Sequence, residues 1–283
     1  MLVVALLLAC GVRPAVAAQC SVSSSNIQFG NFSGTAIRIT GTLTVNCPSG
    51  AAYQVGIDAG TGSGATVTNR RMTGPGGALL GYQLFSDPGY TSNWGNTSGT
   101  GWVTGTGTGS NQTLTVYAQL PANQYAPTGN YTDATVNVSV TGSTLTTVTS
   151  HFNVKATVQA ACNIAANSLN FGSYSGSLIN STSIISVTCT NTTSYNVGLN
   201  AGTATGATVT NRSMTGPGGA LLGYKLFSNS GRTINWGNTV GTDTVAGTGT
   251  GLAQSLTVYG QTPAGQNVAP GSYADTITAT LTY

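Results

Sequence analysis

The residues of this chain that could carry chemistry are few: five cysteines, five aspartates, one histidine and no glutamate among 283 residues. A glycosidase needs two carboxyl groups across the scissile bond. The five aspartates are Asp58, Asp87, Asp133, Asp243 and Asp275, and two of them recur in one setting, Tyr131 with Asp133 and Tyr273 with Asp275, which reads as structural. A serine or cysteine hydrolase needs a base beside its nucleophile, whereas His151 lies in an alternating apolar segment. The glycine runs at 105–109 and 247–251 lack the Lys-Ser/Thr pair of a phosphate-binding loop and read as turns. A metal centre lacks histidine support and a close cysteine pair. No catalytic residue, cofactor or metal is assigned.

What remains is disulfide chemistry. Cys10 falls in the leader, leaving Cys20, Cys47, Cys162 and Cys189, which allow three pairings. Equal 27-residue separations favour Cys20 with Cys47 and Cys162 with Cys189, each bridge then closing within one half of the chain. Each bridge would contribute roughly 3 kcal/mol by constraining the unfolded state. An oxidising compartment follows.

Those equal spacings belong to a repeat. Adding 142 to a position in the first half recovers its partner, so that Asn93-Trp94-Gly95-Asn96-Thr97 becomes Asn235-Trp236-Gly237-Asn238-Thr239. Two copies of one domain are predicted, 19–159 and 160–283, after a signal peptide at 1–18. The leader's apolar run, Leu2 to Ala9, ends before the small residues Ala15-Val16-Ala17-Ala18, which suit a signal peptidase; Leu7-Leu8-Ala9-Cys10 also resembles a lipoprotein signal. Only 5% of residues are charged, with a net charge of +3, so no basic stripe supports nucleic-acid binding.

Period-two alternation positions these residues. It marks Ile37, Ile39, Leu43 and Val45, then Tyr53, Val55 and Ile57, then Leu80, Tyr82 and Leu84, then Leu114 to Leu120, with echoes in the second copy and turn residues between. The fold class is all-β: two tandem immunoglobulin-like β-sandwiches, with Trp94 and Trp236 in the cores. A tyrosine corner is expected at Tyr131 and at Tyr273. The copies differ at their ends. The first runs on into an alternating segment at 145–158, while the second reaches its matching strand at 277–283, so it is expected to lack its final strand.

Phe171-Gly172, Asn211-Arg212, Gly223-Tyr224, Asn235 to Thr239, Leu256-Thr257-Val258-Tyr259-Gly260 and Gly271-Ser272-Tyr273-Ala274-Asp275, with their first-copy counterparts, resemble the spore coat protein U domain family. Single-domain members resemble the major subunits of archaic, Csu-type chaperone-usher pili, where an extension ahead of the first cysteine completes a neighbour's sandwich. Here Phe152, Val154, Ala156 and Val158 alternate in that place before Cys162, and are expected to complete the first domain within the chain. The second domain would accept a donor strand at an edge marked by Ile277, Ala279, Leu281 and Tyr283.

With only Gln19 and Ala18 ahead of Cys20, the subunit would accept a strand without donating one. That valence matches the two-domain tip adhesins of Csu-type pili, serving attachment and biofilm formation. Implied partners are a periplasmic pilus chaperone, an outer-membrane usher, the N-terminal donor strand of the next pilin, and an abiotic or host surface, reached by export through the periplasm to the pilus tip. Where the copies differ, the first has gained apolar residues: Tyr90 against Arg232, Trp102 against Thr244, Leu120 against Thr262 and Tyr125 against Asn267. These are the candidate adhesive loop residues; alternatively they pack beneath longer loops. Competing functions are a structural spore or cell-surface coat protein and a secreted carbohydrate-binding module.

Overall fold

The structure, a computed structural model, describes residues 19–97 and 101–283; the leader and Cys10 lie outside the described residues. Two β-sandwiches follow one another. The first contains β1 (Ser21–Ser24), β2 (Ile27–Phe32), β3 (Ile37–Asn46), β4 (Ala52–Ile57), β5 (Arg70–Thr73), β6 (Leu79–Phe85), β7 (Val103–Thr106), β8 (Gln112–Leu120), β9 (Gly129–Gly142) and β10 (Leu145–Val158). One layer runs β1-β3-β8-β6 and the other β7-β4-β9-β10-β2, with β5 joining β6 to β9 at the edge. β10 lies antiparallel to β9 and parallel to β2. Its alternation buries Phe152, Val154, Ala156 and Val158 and leaves Lys155 exposed.

The second sandwich contains β11 (Cys162–Ala166), β12 (Ile179–Cys189), β13 (Ser194–Leu199), β14 (Arg212–Thr215), β15 (Leu221–Phe227), β16 (Val245–Thr248), β17 (Ala253–Thr262) and β18 (Ala279–Thr282). Its layers are β11-β12-β17-β15-β14 and β16-β13-β18. Among the described residues, no strand of this sandwich stands where β10 or β2 stands in the first. The segment matching β2 (169–174) runs without a ladder, because β2 pairs only with β10. The last strand is shorter than its alternation suggests: the ladder to β13 spans Ala279–Thr282 instead of 277–283.

The constant offset of the repeat also breaks here. In the first sandwich Phe152 faces Val136 but Val154 faces Asp133, so β9 carries one extra residue, a bulge at 134–135. The second sandwich lacks it. Ile57 pairs with Val138 while Leu199 pairs with Ala279, and the Asn137 amide bonds to the Asp58 carboxylate as the Thr278 amide bonds to Asn200 Oδ1. Beyond Asp275 the offset is therefore 141.

Each sandwich has its own core and its own disulfide, Cys20 to Cys47 and Cys162 to Cys189. Both cores close around the same buried cation. Arg70 donates to the carbonyls of Asp58 (2.7 Å), Val67 (2.7 Å), Ile57 (2.9 Å) and Trp94 (2.6 Å), and Arg212 repeats the cage on Asn200, Val209, Leu199 and Trp236. The Trp94 and Trp236 indoles donate to the carbonyls of Val55 and Val197, which fixes each ring against a central strand. The tyrosine corners are formed: Tyr131 donates to the Pro127 carbonyl and Tyr273 to that of Ala269, each at 2.8 Å. Gly74 makes room for the first, since a Cβ there would sit 2.4 Å from the Tyr131 ring.

Candidate functional site

Among the described residues the second sandwich has no counterpart of β10, and a groove of about 440 Å³ lies between β11 and the segment leading to β18. Its walls and floor repeat residues that flank or face β10 in the first. Ile27, Phe29, Met72 and Tyr131 are buried there, and their counterparts Leu169, Phe171, Met214 and Tyr273 are half-buried and line the groove. Ile277 and Ala279 also line it. Leu281 packs on the second core opposite Val197 but lies beyond the groove lining, and Tyr283, 60% exposed past the last ladder pair, lies beyond it as well. The edge is therefore shorter than its alternation suggests. The sequence carried the signal for the missing floor residues: each is the repeat partner of a residue beneath β10.

A polar group sits in the apolar groove. The Tyr224 hydroxyl donates to Asp275 Oδ2 (2.6 Å), and the Thr203 amide and hydroxyl donate to Oδ1 (2.8 Å each). Burial pulls the Asp275 carboxyl upward, but these donors outweigh it and hold its pKa below the ordinary range. Burial pushes the Tyr224 hydroxyl up, keeping it a donor. Tyr82 and Asp133 form the same pair beside β10, so Asp275 belongs to the scaffold of the groove. Among the described residues, no three His, Cys, Asp or Glu side chains gather as metal ligands.

The four residues expected at an adhesive tip go to different places. Leu120 is fully buried at the end of β8, so its assignment to an exposed loop is corrected: it is core. Its partner Thr262 is equally buried and its hydroxyl finds no acceptor, so the two copies differ there in core quality. Tyr90 lies under the Arg38 guanidinium (4.4 Å to the ring centroid) and packs edge-on against Phe85 and Tyr117. In the second copy Arg232 occupies its position and lies over Tyr259, the counterpart of Tyr117, at 5.7 Å from the ring centroid. The loop containing Tyr125 faces the second sandwich, its carbonyl accepting from the Asn191 amide (3.0 Å). Only Trp102 lies in an open surface groove, against β4 and β7. The large exposed apolar side chains among the described residues, such as Leu178, Ile234 and Leu252, all belong to the second sandwich.

Two disulfide-closed immunoglobulin-like sandwiches, the second open along a strand-shaped groove, define the fold. The chain belongs to the Spore Coat Protein U domain family, whose profile matches residues 6–139 and 148–280. Protein U of Myxococcus xanthus is 35% identical over 154 residues, spanning 48% of this chain and 86% of that protein. Among solved structures, the CsuC-CsuE chaperone–tip adhesion subunit pre-assembly complex of Acinetobacter baumannii matches with a TM-score of 0.57 at 17% identity, over 93% of this chain and all of the matched chain. That likeness establishes a shared fold across both sandwiches.

Proposed function

We propose that this protein is a surface-assembled adhesin subunit of an archaic chaperone-usher pilus, its second sandwich completed by a strand from another subunit. One observation carries the reading. The groove of the second sandwich repeats, position for position, the walls and floor between which β10 lies in the first, so the physics that seats Phe152, Val154, Ala156 and Val158 there favours an alternating strand here. Such a strand would pair with 271–282, cover Leu169, Phe171 and Met214, and satisfy main-chain groups that the short β18 leaves unpaired.

The complete sandwich is then free to meet a surface, which is the division of labour of a tip adhesin serving attachment and biofilm growth. Until its groove is filled, a periplasmic chaperone would shield the exposed apolar floor, and an outer-membrane usher would exchange chaperone for donor strand. The matched tip adhesion subunit was solved in a pre-assembly complex with its chaperone, which supports the chaperone step.

The test is a synthetic peptide of sequence 150–159, added to the intact protein while its melting is followed. Binding at a hundredfold excess over Kd should stabilise the second sandwich by about 2.7 kcal/mol. A melting curve unmoved by the peptide would sink the reading.

The relative named Protein U favours a second reading, a coat in which such subunits pave a cell or spore surface. Electron microscopy of the native producer separates the two: thin fibres bearing the protein at their ends support the pilus, a continuous layer the coat.

A further inference from the structure

We infer that the first sandwich binds a neutral, hydroxyl-rich sugar chain along a groove walled by Trp102. This rests on the first sandwich being the adhesive one, and it names the ligand class. The groove, about 430 Å³, lies on the outer face of the β7-β4-β9 layer and is lined by Ala52, Gln54, Trp102, Thr104, Thr141 and Ser143. It reaches the pole remote from the second sandwich, because β10 starts at that end, at Leu145, and finishes beside the junction at Val158.

The lining determines what fits. Beside the flat indole stand an amide and three hydroxyl side chains, and no charged group. An aromatic ring stacks on the C–H face of a pyranose while amides and hydroxyls exchange hydrogen bonds with its rim. A polyanion would find no cation there. An apolar surface would find no large exposed apolar side chain on this sandwich among the described residues, since those are confined to the second.

The platform is built into regular structure. The indole packs over Gly56 of β4, where a Cβ would come within 3.0 Å of Nε1. Nε1 is buried there without an acceptor among the described residues. The second sandwich has not kept the site. Thr244 replaces Trp102 and takes away the aromatic wall, its hydroxyl bonding instead to Asn196 Oδ1 at 3.1 Å.

Intrinsic fluorescence of the intact chain tests the inference cleanly, because Trp94 and Trp236 are both 1% exposed and Trp102 is the tryptophan a surface ligand reaches. Cellohexaose, mannohexaose, galactohexaose and chitohexaose are the probes. At least one should give a saturable change. Trp102→Ala should abolish that change and weaken calorimetric binding about tenfold, with Trp102→Phe intermediate. Thr104→Arg, on the exposed edge strand β7, should block the groove while leaving the indole and the melting temperature in place. Failure of all four sugars to bind, or binding that survives Trp102→Ala, overturns the inference. Attachment assays keep the two readings apart. Cells that adhere through this protein without competition from sugar sink the sugar inference alone, and cells whose adhesion does not depend on the protein sink the adhesive reading.

Discussion

At the scale of single residues, the duplicated buried arginine has the strongest claim on stability. Burial lowers the Arg70 pKa to about 10, so it stays charged at neutral pH, and it is compensated by carbonyl oxygens without a direct carboxylate partner. A lysine reaches one or two of those carbonyls from a point charge and leaves the others unsatisfied. Arg70→Lys should therefore cost on the order of 3 kcal/mol, read from the urea midpoint of the first sandwich. Thr262 makes the opposite case: its buried, unpartnered hydroxyl stands where the first copy has Leu120, and Thr262→Val should raise the second sandwich's stability by about 1 kcal/mol. Asp275, with its folded pKa depressed, contributes stability that is complete above its ordinary value near 3.8 and is lost as pH falls through the folded value below it. Asp275→Asn should flatten that acid limb in a pH series of melting curves. The motifs around these residues were visible as repeats, but their roles were not, because their partners are mostly main-chain atoms that no pattern of side chains names. Leu120 shows the converse limit. Comparing residue types across the repeat finds a difference without telling a loop tip from the end of a core strand.

At the scale of elements, β10 was legible because its alternation continues across the junction between the repeats, and a strand buried on one face cannot hide that period. The length of the last strand was not. A one-residue deletion at a bulge leaves alternation intact on either side, so 277–283 still reads as a strand although only Ala279–Thr282 has a partner to pair with. The ladderless segment at 169–174 was illegible for a related reason: its residues match those of β2, and what it lacks is a neighbour. Strand structure there is conditional on a third strand, which a local sequence window does not contain. If β10 completes the first sandwich as its packing implies, Phe152→Ala should cost about 3–5 kcal/mol and lower only the first sandwich's transition. Lys155→Ala, at an exposed position on the same strand, should stay within about 0.5 kcal/mol of the parent.

At the scale of the whole molecule, the Tyr125 loop of the first sandwich meets Asn191 and Gly251 of the second, and each sandwich keeps its own hydrophobic cluster. Their cores are unequal. Among the described residues, 26 buried side chains form the first cluster and 10 the second, although the two sequences differ little at these positions. Part of the difference is the strand: β10 adds its own four buried side chains, and Ile27, Phe29 and Met72 beside or facing it are buried while Leu169, Phe171 and Met214 stay half-exposed. Calorimetry on the intact chain should therefore resolve two transitions, the second sandwich melting first. The 150–159 peptide should raise the lower transition alone and carry it toward the upper one, because it supplies to the open sandwich what the closed one already holds. A single cooperative transition, or a peptide that moves both transitions equally, would mean that the sandwiches share stability through their junction, and the completed and open halves could not then have separate tasks.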